Sequence, residues 1–132
     1  MTAETPQAPP DTEPTLRAIA MPADANPNGD IFGGWLLSQM DLAGGTVAIR
    51  RAKGRVVTVA VTGMTFHQPV FVGDEVTCYA QIIQLGRTSI IVEVQSWVRR
   101  GIGREHIPVT EGIFTYVAIG PDRKPIPVPP ET

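Results

Sequence analysis

Apolar positions along this chain follow two different periods. From residue 33 to about residue 52 they recur at helical spacing, with Leu36, Met40, Ala43 and Val47 on one stripe. The spacing predicts one long helix of about five turns. It starts in the glycine-rich stretch Gly29-Asp30-Ile31-Phe32-Gly33-Gly34 and stops at Lys53-Gly54. Everywhere else the period is two. Leu16 to Ala20 reads as a short strand closed by Met21-Pro22, and residues 23–30 are dense in turn formers. Val56 to Phe66 is β-branched and apolar on both faces, which predicts a strand buried in the middle of a sheet. Three more strands are predicted over 75–84, 89–100 and 108–119. In the last, Val109, Ile113, Val117 and Ile119 alternate with Thr110, Phe114 and Tyr116.

The element order is strand, long helix, then four strands, which is an α+β arrangement. The last three strands are joined by short turns and so form an antiparallel meander, and the lone helix lies across one face of a sheet of about five strands. One helix covers only one face. The other carries Tyr79, Ile91 and Trp97 and is too apolar to be wholly wet, so a homo-oligomer is expected. Nine of the 13 prolines fall before residue 15 or after residue 120. Residues 1–13 are therefore read as an N-terminal tail, 14–120 as the folded domain and 121–132 as a proline-rich tail or extended arm.

Composition narrows the function classes. At 132 residues with 42% hydrophobic and 18% charged side chains, the chain is an ordinary single globular domain. A net charge of -2 supplies no basic footprint, so nucleic acid is not expected as a partner. Cys78 is the only cysteine, which rules out an intrachain disulfide and fits a reducing compartment. There is no apolar run of membrane-spanning length and no leader-like N-terminus. The expectation is a cytoplasmic protein with no membrane partner.

The chemistry concentrates on the helix. Gly34, Ser38, Asp41, Gly45 and Ala48 share a face, and all but Asp41 are small, so a backbone, a second chain or a ligand can come close there. Asp41 sits in mid-helix between Met40 and Leu42 with no cation one turn away. A carboxylate in such surroundings suits the role of a base, while a surface aspartate or one satisfied by backbone amides fits the same pattern. Other constellations are weaker. His67, His106 and Cys78 lack zinc-ligand spacing, so no metal site is expected. Ser38 has no histidine within a turn, Trp35 and Trp97 read as core or interface aromatics, and no lysine follows the glycines as a phosphate-binding loop requires.

Several ordered motifs resemble one family. Met21-Pro22 with Asp24 and Asn26, then Asn28 through Trp35, Ser38 through Asp41, and Gly54 through Val61 are similar to the YciA-type acyl-CoA thioesterases of the hotdog superfamily. Pro69-Val70, Val72-Gly73-Asp74, Gly86-Arg87-Thr88-Ser89 and Val109 through Thr115 extend the resemblance over nearly the whole folded unit. His67-Gln68 departs from it. The resemblance implies a hotdog fold, a dimer as smallest working unit with active sites at the subunit interface, and commonly a trimer of dimers. It places the family's acid on Asp41, as base or nucleophile, and the glycines of its helix start on Gly33 and Gly34. No cofactor is implied, since coenzyme A is part of the acyl-CoA substrate.

The chemistry independently makes sense of these assignments. A thioester needs a nucleophile aimed at its carbonyl carbon and donors for the oxygen that becomes negative. The first amides of a helix are such donors, and glycine lets a substrate approach them. Asp41 is about two turns along the same helix, too far to share one carbonyl with its own helix start, so the site combines Asp41 of one subunit with Gly33 and Gly34 of another. Water activated by Asp41 is the preferred nucleophile, and direct attack through an anhydride is the alternative. Asn28 and Asp30 are candidates for positioning water or carbonyl, against a plain turn and capping role. The resemblance to the family implies that Thr58 and Val59, on the strand expected to be central, line the pantetheine or acyl channel. Arg87 with Thr88 and Ser89 is the candidate contact to coenzyme A phosphates, with Arg55, Arg99, Arg100 and Arg104 behind it. A hotdog dehydratase or hydratase and a non-catalytic acyl-CoA-binding oligomer are the competing classes.

Overall fold

A computed structural model describes residues 8–103 and 105–131. The elements are β1 (Leu16–Ile19), a 3-10 turn at Pro22–Asp24, α1 (Gly33–Ala52), β2 (Val56–Phe66), β3 (Glu75–Leu85), β4 (Ser89–Arg99) and β5 (His106–Ala118). The strands form one sheet in the order β1-β3-β4-β5-β2, antiparallel throughout. The helix lies across one face, with Leu36, Met40, Ala43, Gly44, Ala48 and Ala52 buried and Val47 half-buried. This is the hotdog arrangement, a helix wrapped by a sheet. No helix among the described residues is long and apolar enough to cross a membrane.

The sheet meets the helix through alternate residues, as the period of two requires. Ile90, Val92, Val94 and Val98 of β4 are fully buried, as are Val76 and Cys78 of β3. On β5 the inward set is Phe114, Tyr116 and Ala118, while Ile113 and Val117 face outward and are half-buried. Phe114 and Tyr116 stack on that face with ring centroids 6.3 Å apart. Burial pushes the Cys78 thiol up to about 11, partly countered by its hydrogen bond with Ser96, so this cysteine acts as a small apolar core residue.

The place of β2 corrects the sequence reading. It is an edge strand, paired only with β5 among the described residues, and Thr58 through Gly63 are exposed. Its register breaks between Thr58 and Ala60 and again between Thr62 and Thr65, where Gly63 adopts φ +61°. Bulges of this kind are characteristic of edges. Apolar side chains on both faces show that a strand needs cover, without telling whether the cover lies in its own chain. Here Val59 is 54% exposed and Phe66 52%, so the described residues of one chain do not supply it.

Both helix ends have distinctive chemistry. Phe32 stands at the N-cap with no side-chain hydrogen bond to the first turn. At the other end Lys53, rather than Gly54, takes the left-handed conformation, with φ 54° and ψ 33°. The Lys53 ammonium donates to the carbonyls of Pro130 (3.3 Å) and Glu131 (3.1 Å), and Arg51 Nη1 donates to that of Pro129 (2.5 Å). The proline-rich segment is thereby laid over the helix end, and its Ile126 and Val128 amides donate to Ala118 and Arg87 carbonyls. Phe114 is a fully buried ring on the inward face of β5. Phe114→Ala is expected to lower unfolding free energy by about 3–5 kcal/mol in urea denaturation.

Candidate active site

The centre of α1 is tied to the sheet by one missing carbon. A Cβ built on Gly44 would overlap the Tyr116 hydroxyl and lie 3.1 and 3.2 Å from two of its ring carbons. Glycine at that position opens a notch in which the Tyr116 phenol reaches the preceding turn. Its oxygen lies 3.0 Å from the backbone carbonyl of Asp41 and 3.0 Å from Asp41 Oδ1, so one proton is shared between two acceptors. From β2, Thr58 Oγ1 donates to the same Oδ1 at 2.8 Å. Asp41 is thus held by two hydroxyls on one oxygen. Oδ2 has no hydrogen-bond partner, and Asp41 joins no ion pair, among the described residues.

Tyr116 responds to this setting. Burial first, then the Asp41 charge and the hydrogen bond to it, push its phenol well above the ordinary tyrosine range. The phenol therefore stays a donor at any working pH. Neither Tyr116 nor Gly44 stands out in the sequence. The available signal was parity, since Tyr116 shares a strand face with Phe114, and a polar hydroxyl on a core face needs a partner.

The second feature is the start of the helix. Asn26, not Asn28, organises the turn before it, with its Oδ1 accepting the amides of Asn28 (2.9 Å) and Asp30 (3.1 Å). Asn28 itself is exposed. Gly29 takes φ +91°, a conformation that glycine adopts without strain. Gly33 and Gly34 follow, both exposed, and a Cβ on Gly34 would meet nothing within 4 Å. Phe32 gives no side-chain cap, and the Gly33 and Gly34 amides have no hydrogen-bond partner among the described residues, while the Trp35 amide bonds the Phe32 carbonyl at 3.1 Å. Beside them lies a cleft of about 380 Å³ walled by Leu36, Phe66, His67, Pro69 and Val70 as well as Gly33.

The structure brings some of the expected residues together and separates others. Asp41 and Thr58 are in contact, Thr58 facing the acid, and Val59 is the adjacent bulge residue, unpaired with β5 and exposed. Gly33 and Gly34 are about 12 and about 10.5 Å from Asp41 along the helix, by the rise of about 1.5 Å per residue. Arg87, Thr88 and Ser89 lie at the β3–β4 turn and hydrogen-bond to neither Asp41 nor the helix start among the described residues; there the Gly86 amide bonds the Ser89 carbonyl and the Arg87 side chain is exposed. Arg99 pairs with Glu75 and Arg100 with Asp74. Arg104 lies outside the described residues. Among the described residues no group of three or more His, Cys, Asp or Glu side chains is arranged to hold a metal ion.

The sequence profile of the thioesterase superfamily matches residues 28–102. The chain belongs to that superfamily. The matched span runs from the turn before α1 through β4 and contains Gly33, Asp41 and Thr58. Acyl-CoA thioester hydrolase YciA of Salmonella typhimurium is 53% identical over 124 residues, covering 91% of this chain and 92% of that protein. The Escherichia coli K12 protein of the same name is 52% identical over 120 residues, covering 88% and 90%. Among solved structures, the hexameric thioesterase y2039 from Yersinia pestis superposes with a TM-score of 0.87 at 52% identity, over 92% of this chain and 98% of that one. HI0827, a hexameric broad specificity acyl-coenzyme A thioesterase, superposes with a TM-score of 0.87 at 44% identity, over 95% and 86%. These two solved thioesterases share this fold along almost the whole chain.

Two outcomes follow for the notch. Alanine in place of an exposed helical glycine ordinarily adds up to about 1 kcal/mol of stability. Gly44→Ala is expected to do the opposite, lowering the melting temperature as Tyr116 is displaced. In an ultraviolet titration, the tyrosine component removed by Tyr116→Phe is expected to ionise at lower pH in Asp41→Asn, because two of the three causes of its upward shift are then weakened.

Proposed function

We propose that this protein hydrolyses acyl-CoA thioesters, with Asp41 of one protomer as general base and the first amides of α1 of a second protomer, at Gly33 and Gly34, as the oxyanion donors. The observation that carries this reading is the state of Asp41. One oxygen is fixed by Thr58 and Tyr116, and among the described residues no cation pairs with the carboxylate and nothing bonds the other oxygen, which can accept a proton. The close relatives named acyl-CoA thioester hydrolases support the substrate class.

The steps balance as follows. Asp41 Oδ2 takes a proton from water as the water oxygen bonds to the thioester carbonyl carbon. The carbonyl oxygen becomes an anion, which accepts from the uncapped amides of the partner's helix start, where the helix dipole also favours negative charge. Collapse of the tetrahedral adduct breaks the carbon–sulfur bond. The departing thiolate recovers the proton from Asp41, leaving the free acid and coenzyme A. Hydrogen bonds from two hydroxyls keep Asp41 oriented through the cycle, so little reorganisation is needed at the moment of attack.

The two-protomer site follows from distance, since one helix cannot present both its start and its middle to a single carbonyl. It also gives the exposed apolar edge strand β2 a role as covered surface. We take the assembly to be a homo-oligomer with a dimer as its minimal unit and a trimer of dimers as its full form, which agrees with the hexameric solved relatives. The exposed side chain of Arg87, with Thr88 and Ser89 beside it, is assigned to the coenzyme A phosphates. Hydrolysis is favoured over dehydration because no histidine contacts Asp41 among the described residues.

Thiol release from a panel of acyl-CoAs tests the reading. Native protein is expected to turn over, and Asp41→Asn to lose at least about a hundredfold in kcat while keeping its fold and assembly, the scale of losing a general base. Parental turnover in a folded Asp41→Asn protein refutes the assignment.

A further inference from the structure

The helix start has its own anchor, distant from Asp41 and its two hydroxyls. Asp74, just before β3, is 2% exposed. Arg100, just after β4, donates Nε to Asp74 Oδ1 at 3.0 Å and Nη2 to Asp74 Oδ2 at 2.9 Å. The Phe71 amide also donates to Oδ2, at 2.9 Å. The same Nη2 reaches the Pro69 carbonyl at 3.2 Å, and the guanidinium carbon sits 4.5 Å from the centroid of the Phe71 ring. One arginine therefore holds the start, the middle and the end of the segment 69–74. Forked, charge-assisted bonds to a buried carboxylate set geometry far more firmly than a surface ion pair.

That segment in turn carries the start of α1. The Val70 carbonyl accepts from the Ile31 amide at 2.9 Å, and Phe71 forms a bridge with Asp30. Val70 and Ile31 are both buried, and Ile31 stands two residues before Gly33. No side chain caps α1, so its first turn is located by this backbone pairing and by the Phe32 amide bonding the Asp24 carbonyl at 3.1 Å. Pro69 and Val70 also wall the cleft that opens beside Gly33.

We infer that Arg100 is a positioning residue for thioester hydrolysis. By clamping residues 69–74 through Asp74, Pro69 and Phe71, it sets where the first amides of α1 lie. The inference rests on the reading above that these amides receive the carbonyl oxygen. Oxyanion donors work only when they are aimed at the place where charge develops, so a displaced helix start costs turnover more than ground-state binding.

The test uses full-length Arg100→Gln and Arg100→Lys, each first shown to keep the parent's assembly size. Arg100→Gln is expected to lose roughly tenfold to a hundredfold in kcat, the scale of a misplacement on the order of 1 Å. Its KM is expected to stay within about twofold, as for an interaction made in the transition state. Arg100→Lys keeps the charge but not the fork and should fall between. Amide exchange should quicken at Ile31 and not at Val92 or Phe114. If both variants keep parental kcat, whatever their melting temperatures, the clamp is purely structural and the inference is wrong. A raised KM at parental kcat refutes it equally. Asp41→Asn is assayed beside them: parental turnover there refutes the base assignment, while the Arg100 variants are judged on their own kcat.

Discussion

The contact on which the rest of the structure depends is that of the Tyr116 hydroxyl with the Asp41 turn of α1, and it exists because position 44 has no side chain. A single methyl group there would occupy the space of the phenol oxygen. With glycine, the middle of the helix comes down onto β5 while a carboxylate stays at the contact with no counter-cation among the described residues. Two hydroxyls bond one oxygen of that carboxylate, which lets these polar groups sit at the edge of a buried core.

From that contact the architecture separates two tasks along one helix. Its middle holds an acid, fixed from two strands. Its start, about 12 Å away, presents uncapped amides and is located from a different part of the sheet, through residues 69–74 and Arg100. A chain built this way is half of two sites rather than the whole of one. The exposed apolar β2, which carries Thr58 to the acid, fits such an incomplete unit, since its outer residues require a cover that their own chain does not provide. Activity and assembly are then one constraint on the same strand.

The far end of α1 shows the same economy of parts in a structural role. Lys53 adopts the conformation usually left to glycine, and its ammonium, with the Arg51 guanidinium, gathers the carbonyls of Pro129, Pro130 and Glu131. Prolines cannot donate hydrogen bonds, so at its proline pair the arm is held by carbonyls, while the Ile126 and Val128 amides tie it to Ala118 and Arg87. Cations at a helix C-terminus are favoured by the dipole in any case.

What the sequence by itself determined is whatever depends on local period and local chemistry. The helix from Gly33 to Ala52, the β3–β4–β5 meander, the glycine-rich helix start and the anomaly of Asp41 were all legible, because the groups responsible lie within a few residues of one another. The ordered motifs also pointed to the superfamily to which the chain belongs. Strand order was not legible: the apolar run 56–66 reads as central and lies at an edge, since hydrophobicity records that a surface is covered and not by which chain. Nor were the partners of Asp41 and of the helix start. Tyr116 is 75 positions from Asp41, and Arg100 is 26 from Asp74. Only the packing of α1 on the sheet, with Tyr116 opposite Thr58 in the β5–β2 register, and the β3–β4 register that sets Glu75 opposite Arg99 bring them into contact. Contacts of that range follow from how the sheet closes over the helix, and no periodicity along the chain encodes them.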